Sequence, residues 1–148
     1  MKRDIAPEER PVLVYDGDCG FCTSSVRFIE RHVPVRATVV AYQFADLGAL
    51  GTTVERAERE VLWIDRAGRV SGGAEAVGRM LTDAGGLWKA AGVVMRVAPV
   101  SWAARAVYRI IAANRHRMPG GTAACALPAA ERPGGRGAPP GERPGPRA

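Results

Sequence analysis

Metal-binding side chains are scarce in this sequence: three cysteines and two histidines stand among 148 residues. A structural zinc site takes four ligands. Beyond Cys19 and Cys22 only Cys125, His32 and His116 remain, and no second pair forms among them. Lysine is nearly missing, with Lys2 and Lys89 alone, so the net charge of +6 comes from arginine. The arginines are scattered, without aromatic interleaving or a recognition helix, which argues against nucleic acid as a partner. No apolar run approaches 20 residues, because Arg96, Arg105 and Arg109 interrupt the best candidate region, so no membrane span is expected. Met1 to Arg10 lacks the apolar core of a secretory signal, and the expected location is the cytoplasm. In a reducing compartment a Cys-x-x-Cys pair is catalytic or metal-binding more often than a permanent staple.

What is present centres on Val12 to Cys22, an apolar strand, an Asp16-Gly17-Asp18 turn and two cysteines three positions apart. A helical pattern follows at once, with Cys22, Val26, Ile29 and Val33 on one face and Arg27, Glu30 and Arg31 on the other. Pro34 ends it. The pair therefore stands where a strand hands over to a helix, beside unpaired N–H groups and the positive end of the helix dipole, both of which favour a thiolate. Dithiol–disulfide exchange is the chemistry this supports. Two other readings attach to the same letters. An apolar strand running into Asp16-x-Asp18 is also how haloacid-dehalogenase-type phosphatases present their carboxylates, but no later acidic pair follows a strand to bind magnesium. A buried structural cysteine pair fits poorly beside a turn as polar as Asp-Gly-Asp.

With 47% apolar residues the chain has the material for one domain with a sizeable core. Thr38 to Tyr42 reads as a second strand, parallel to the first and covered on both faces. A short helix over Thr53 to Glu60 is capped by Thr52 or Thr53. Val61 to Ile64 and Arg69 to Ser71 pair as a hairpin around Asp65 to Gly68. Gly72-Gly73 opens a helix that ends before Gly85-Gly86, and packing is preferred over glutathione contact as the reason for those two glycines. The order β-α-β-α-β-β-α gives an α/β fold of thioredoxin or glutaredoxin type. Two added helices over about 87–118, one through Trp88, Val94 and Met95 and one through Trp102, Val107, Ile110 and Ile111, are expected to pack on the sheet or shield the site; a basic amphipathic pair can also lie on a lipid surface. Residues 1–10 are expected to be a flexible N-terminus, 11–128 the domain and 129–148 a disordered tail rich in Pro, Gly and Arg.

Tyr15-Asp16-Gly17-Asp18-Cys19-Gly20-Phe21-Cys22 resembles the signature of the DCC-type thiol–disulfide oxidoreductase family, small thioredoxin-like proteins. The likeness extends through Leu62-Trp63-Ile64-Asp65, Gly68-Arg69-Val70 and Gly73-Ala74-Glu75-Ala76. It continues through Val107-Tyr108-Arg109-Ile110-Ile111-Ala112, Asn114-Arg115 and Cys125-Ala126-Leu127-Pro128, covering about residues 11 to 128. It implies an oxidoreductase acting on a disulfide-bearing protein or a low-molecular-weight thiol, with a redox-active disulfide, no cofactor and no metal. One departure stands out: thioredoxin-like enzymes carry a cis-proline before the third strand, whereas Leu47 to Val70 contains no proline, so the Glu60–Val61 bond is expected to be trans.

In this reading Cys19 is the exposed attacking thiolate, with an apparent pKa of about 7, and Cys22 resolves the mixed disulfide. Gly20 and Phe21 set the geometry, Asp18 caps the helix or opposes its dipole, and Asp16 relays a proton to or from Cys22; a plain role as turn former and cap is an equal reading for both acids. Cys125 is expected to be an inert buried residue, with a third redox thiol that reaches Cys19 or Cys22 as the alternative. A non-catalytic thioredoxin-like interaction module and a metal-binding protein are the other readings.

Overall fold

The structure is a computed structural model, and it describes residue 2 and residues 4–127; the expected tail, 129–148, lies outside the described residues. Four strands and three helices follow in the order β1 (Val12–Tyr15), α1 (Gly20–His32), β2 (Thr38–Ala41), α2 (Val54–Arg59), β3 (Leu62–Ile64), β4 (Val70–Gly72) and α3 (Gly73–Ala84). Two further helices follow, α4 (Gly86–Arg96) and α5 (Val100–Asn114), and a 3-10 turn at Ala123–Ala126. The sheet order is β2-β1-β3-β4, with β1 parallel to β2 and the other two pairings antiparallel. This is the thioredoxin-like arrangement that the order of elements predicts, with a helical pair added.

The reason for the fold lies in two strands that are apolar at every position. Val12, Leu13 and Val14 stand opposite Ile64, Trp63 and Leu62. Successive strand side chains point to opposite faces, so Val12, Val14, Leu62 and Ile64 enter one core with Tyr42, Leu50 and Ala57 of the α2 side. Leu13 and Trp63 enter the other, with Ile29 of α1 and Ala76 and Met80 of α3. The central strands are thus covered on both sides, as their unbroken apolar character requires. Thr53 caps α2 by accepting the Arg56 N–H at 3.3 Å.

Four expectations need correction. β2 is parallel, but it is the edge strand, so Thr38, Val39 and Val40 are only half-buried. The N-terminal segment is tied down: Ile5 is 3% exposed and packs in the first core. The third strand starts at Leu62 and not Val61, because the Val61 N–H is taken by the Tyr108 hydroxyl of α5 at 2.9 Å. Glu60–Val61 is trans as expected; among the described residues the cis bonds are Arg10–Pro11 and Ala98–Pro99. Helices α4 and α5 pack on α3 and on each other, but the apolar faces expected to pack inward are largely turned out: Ile111 lines the cavity, whereas Trp88, Val94, Trp102, Val107 and Ile110 are exposed. Gly73 has φ +61° and lies against the Tyr108 ring, so a side chain there would be strained and crowded, in line with the packing role expected for it.

Candidate active site: three cysteines around Arg115

The site begins at the end of β1. Asp16 is 2% exposed, and its Oδ1 accepts the Asp18 N–H at 3.1 Å, the local hydrogen bond that makes Asp a turn former. The same oxygen accepts Gln43 Nε2 at 3.2 Å, while Gln43 Oε1 accepts the Gly17 N–H at 3.1 Å. These bonds fix the turn that launches α1. The cap position belongs to Cys19, and its side chain makes no capping bond. Asp18, expected to cap, stands one residue too early to do so. The open N–H of Gly20 is instead met by Thr122 Oγ1 at 3.2 Å, from a segment about a hundred residues away in sequence.

That contact explains the cysteines. A Cβ on Gly20 would collide with the carbonyl oxygen of Gly120 and lie 2.7 Å from Thr122 Cγ2. With glycine there, the C-terminal turn seats directly on the start of α1. Cys125 arrives beside Cys19, and the two form a disulfide with an S–S distance of 2.06 Å and a sequence separation of 106. Cys19 is 0% exposed and Cys125 5%. The expected exposed thiolate at Cys19 is therefore wrong for this state; Cys125 is buried as expected, but it is bonded to Cys19. The sulfur outside the disulfide is Cys22, half-buried, in the first turn of α1.

Arg115, at the end of α5, binds the pieces together. Its Nε donates to the Cys125 carbonyl at 3.0 Å, one terminal nitrogen donates to the Glu58 carbonyl at 2.6 Å, and the other lies 3.6 Å from Cys22 Sγ. Its guanidinium also stands 3.9 Å from the Asp16 carboxylate, both side chains being largely buried. An always-charged group beside a sulfur stabilises the thiolate over the thiol.

Phe21, Cys22, Ile29, Met80, Tyr108 and Ile111 line a cavity of about 200 Å³ between α1, the sheet and α5, with Asp16 and Arg115 at its polar end. Burial of Tyr108 pushes its hydroxyl up to about 12; the charges of Cys22 and Glu60 act in the same direction, while the Val61 hydrogen bond and Arg115 oppose it. Among the described residues no three His, Cys, Asp or Glu side chains gather as a metal site.

The six residues singled out from the sequence, Asp16, Asp18, Cys19, Gly20, Phe21 and Cys22, do fall at one place. Tyr108, Arg115 and Cys125 join them without having been assigned to the site. For Tyr108 and Arg115 the only signal is membership in the later blocks of the resemblance, since no spacing rule ties a residue on α5 to a motif on α1; for Cys125 there is also the alternative reading as a third redox thiol. The sequence model described as DCC1-like thiol-disulfide oxidoreductase matches residues 13–121, well over half of the chain, and the chain belongs to that family. Neither the search of curated proteins nor that of solved structures returns a match.

Proposed function

We propose that this member of the DCC1-like family exchanges disulfides through all three of its cysteines, with Cys22 meeting the substrate and Cys125 holding the final disulfide. The observation that carries the reading is the Cys19–Cys125 bond next to a reduced Cys22 that lines the cavity and faces Arg115. It reverses the roles expected from the motif alone, because the outer cysteine is the buried one.

In the reduced protein the Cys22 thiolate attacks one sulfur of a substrate disulfide. The S–S bond breaks, one substrate thiolate leaves with the electron pair and takes a proton, and a mixed disulfide remains on Cys22. The Cys19 thiolate then attacks Cys22 Sγ, forming Cys19–Cys22 and releasing the second substrate thiol. Finally the Cys125 thiolate attacks Cys19 Sγ, giving Cys19–Cys125 and returning Cys22 as a thiolate beside Arg115. The substrate gains two electrons and two protons, and the thiols of Cys19 and Cys125 lose them. An external thiol restores the reduced state, and no cofactor is needed because the redox group is the chain's own sulfur. Such a cycle suits a reducing compartment such as the cytoplasm. Asp16 orients Arg115 and exchanges a proton with Cys22, Phe21 forms the apolar wall, and Gly20 lets Cys125 approach. The substrate is a disulfide-bearing protein or a low-molecular-weight disulfide; the Val61 N–H, already capped by Tyr108, favours the small one.

The test is to treat Cys19→Ser, Cys22→Ser and Cys125→Ser variants with a small disulfide and map the products by mass spectrometry. Cys19→Ser should trap the mixed disulfide on Cys22, and Cys125→Ser should accumulate Cys19–Cys22. Full turnover by Cys22→Ser would sink the reading. A non-catalytic interaction module has one observation in its favour, the same capped Val61, and it predicts no turnover in the unaltered protein either.

A further inference from the structure

The two faces of α5 differ in kind. Tyr108, Ile111, Ala112 and Arg115 turn toward the cavity. Trp102, Ala106 and Ile110 recur every fourth residue on the other side, with Ala103 and Val107 beside them, and all five are exposed. Trp102 is 65% exposed, Ile110 64% and Val107 54%. Leu87, Val94, Val97 and Val100 extend this apolar surface along α4 and the link to α5. Among the described residues, every exposed large apolar side chain except Phe28 and Phe44 falls between Leu87 and Ile110. Scattered exposed apolar residues are ordinary, but a concentration of this kind marks a surface that meets something.

Charge decides what it meets. From Ala84 to Ala130 the sequence contains no Asp or Glu, while Lys89, Arg96, Arg105, Arg109 and Arg117 supply cations. Arg105 and Arg109 are exposed, one turn apart, along the border of the Trp102 stripe. A second copy of the chain would set arginine against arginine across the contact. Residues 128–148 offer no apolar cover, since all of them are Pro, Ala, Glu, Arg or Gly.

We propose that the outer face of α4 and α5 docks on an anionic lipid surface, the two helices lying in the interface plane. Trp, Val and Ile side chains enter the boundary between headgroups and acyl chains, and the arginines meet lipid phosphates. No helix among the described residues is long and apolar enough to cross a membrane, so the association is peripheral. The inference rests on neither the thiol chemistry nor its substrate.

The experiment is flotation of the full chain with phosphatidylcholine vesicles, alone or with about a third phosphatidylglycerol. Binding to the anionic vesicles only, weakened by salt and accompanied by a blue shift of tryptophan emission, is expected. Trp102→Ser with Ile110→Ser should lower the partition coefficient by about tenfold. Arg105→Glu with Arg109→Glu, which leaves the apolar residues in place, should do the same by reversing the charge. Both pairs are exposed, so thermal unfolding and Cys22 alkylation should stay at the unaltered protein's values. Equal binding to neutral vesicles, no binding at all, or undiminished binding by both variants would overturn the proposal. So would sedimentation showing a dimer that Trp102→Ser dissociates, which would make a second copy the partner.

Discussion

Arg115 is the residue on which the site's electrostatics and its architecture meet. It neutralises the buried Asp16, holds two backbone carbonyls and stands against Cys22. Replacing it by methionine keeps the apolar stem and removes the charge. The Cys22 thiolate then loses its nearest cation, and alkylation of Cys22 at neutral pH should slow by about tenfold, the equivalent of roughly 1.4 kcal/mol. Stability should fall as well, by about 2–3 kcal/mol, because two carbonyls lose a donor and a buried carboxylate loses its counter-charge. Thermal unfolding measures the second effect and timed mass spectrometry the first. Tyr108 gives a separate pH prediction. Its folded pKa of about 12 lies above the ordinary 10.0. The unfolded chain therefore gives up this proton first as pH rises, and stability is lost between roughly pH 10 and 12. Tyr108→Phe removes that alkaline loss and, at neutral pH, costs about 1–2 kcal/mol through the orphaned Val61 N–H. Denaturant midpoints at pH 7 and above 10 separate the two: if both proteins lose stability in parallel above pH 10, Tyr108 is not the group responsible.

At the scale of elements, the junction between α1 and the C-terminal turn decides which disulfide the protein holds. Helix propensity alone says that Gly20→Ala at the start of α1 should stabilise, by up to about 1 kcal/mol. The contact with Gly120 and Thr122 says the opposite, and forcing a methyl group into backbone costs about 1–3 kcal/mol. Net destabilisation is expected, together with a shift of the oxidised protein from Cys19–Cys125 toward Cys19–Cys22. Peptide mapping after oxidation reads the shift, and an unchanged Cys19–Cys125 bond would mean the turn is held elsewhere. The added helices act at this scale too: α5 holds the start of β3 through Tyr108, closes the cavity through Ile111 and delivers Arg115 to Cys22.

At the scale of the whole molecule, stability should reside in residues up to Leu127. The segment Glu131 to Ala148 has no apolar residue larger than proline, so deleting it should leave the melting temperature and the Cys19–Cys125 bond unchanged. A loss of several degrees would show that it packs on the domain. Local and periodic features were legible without coordinates. The unbroken apolar runs of Val12–Val14 and Leu62–Ile64, the turn at Asp16-Gly17-Asp18 and the Thr53 cap each depend on residues within a few positions of one another. Sequence by itself therefore determined the order of elements, the thioredoxin-like sheet, the trans bond before Val61 and the position of the Cys-x-x-Cys at a helix start. It could not assign the partner of Cys19. Cys22 is bound to stay near by the helix, but Cys125 is brought in by chain that returns over α3, α4 and α5, and a pattern of short range carries no information about where that return ends. Tertiary structure decided the disulfide, the burial of Cys19, the cation beside Cys22 and the closing of the cavity, because each needs two segments that meet only after the core has formed.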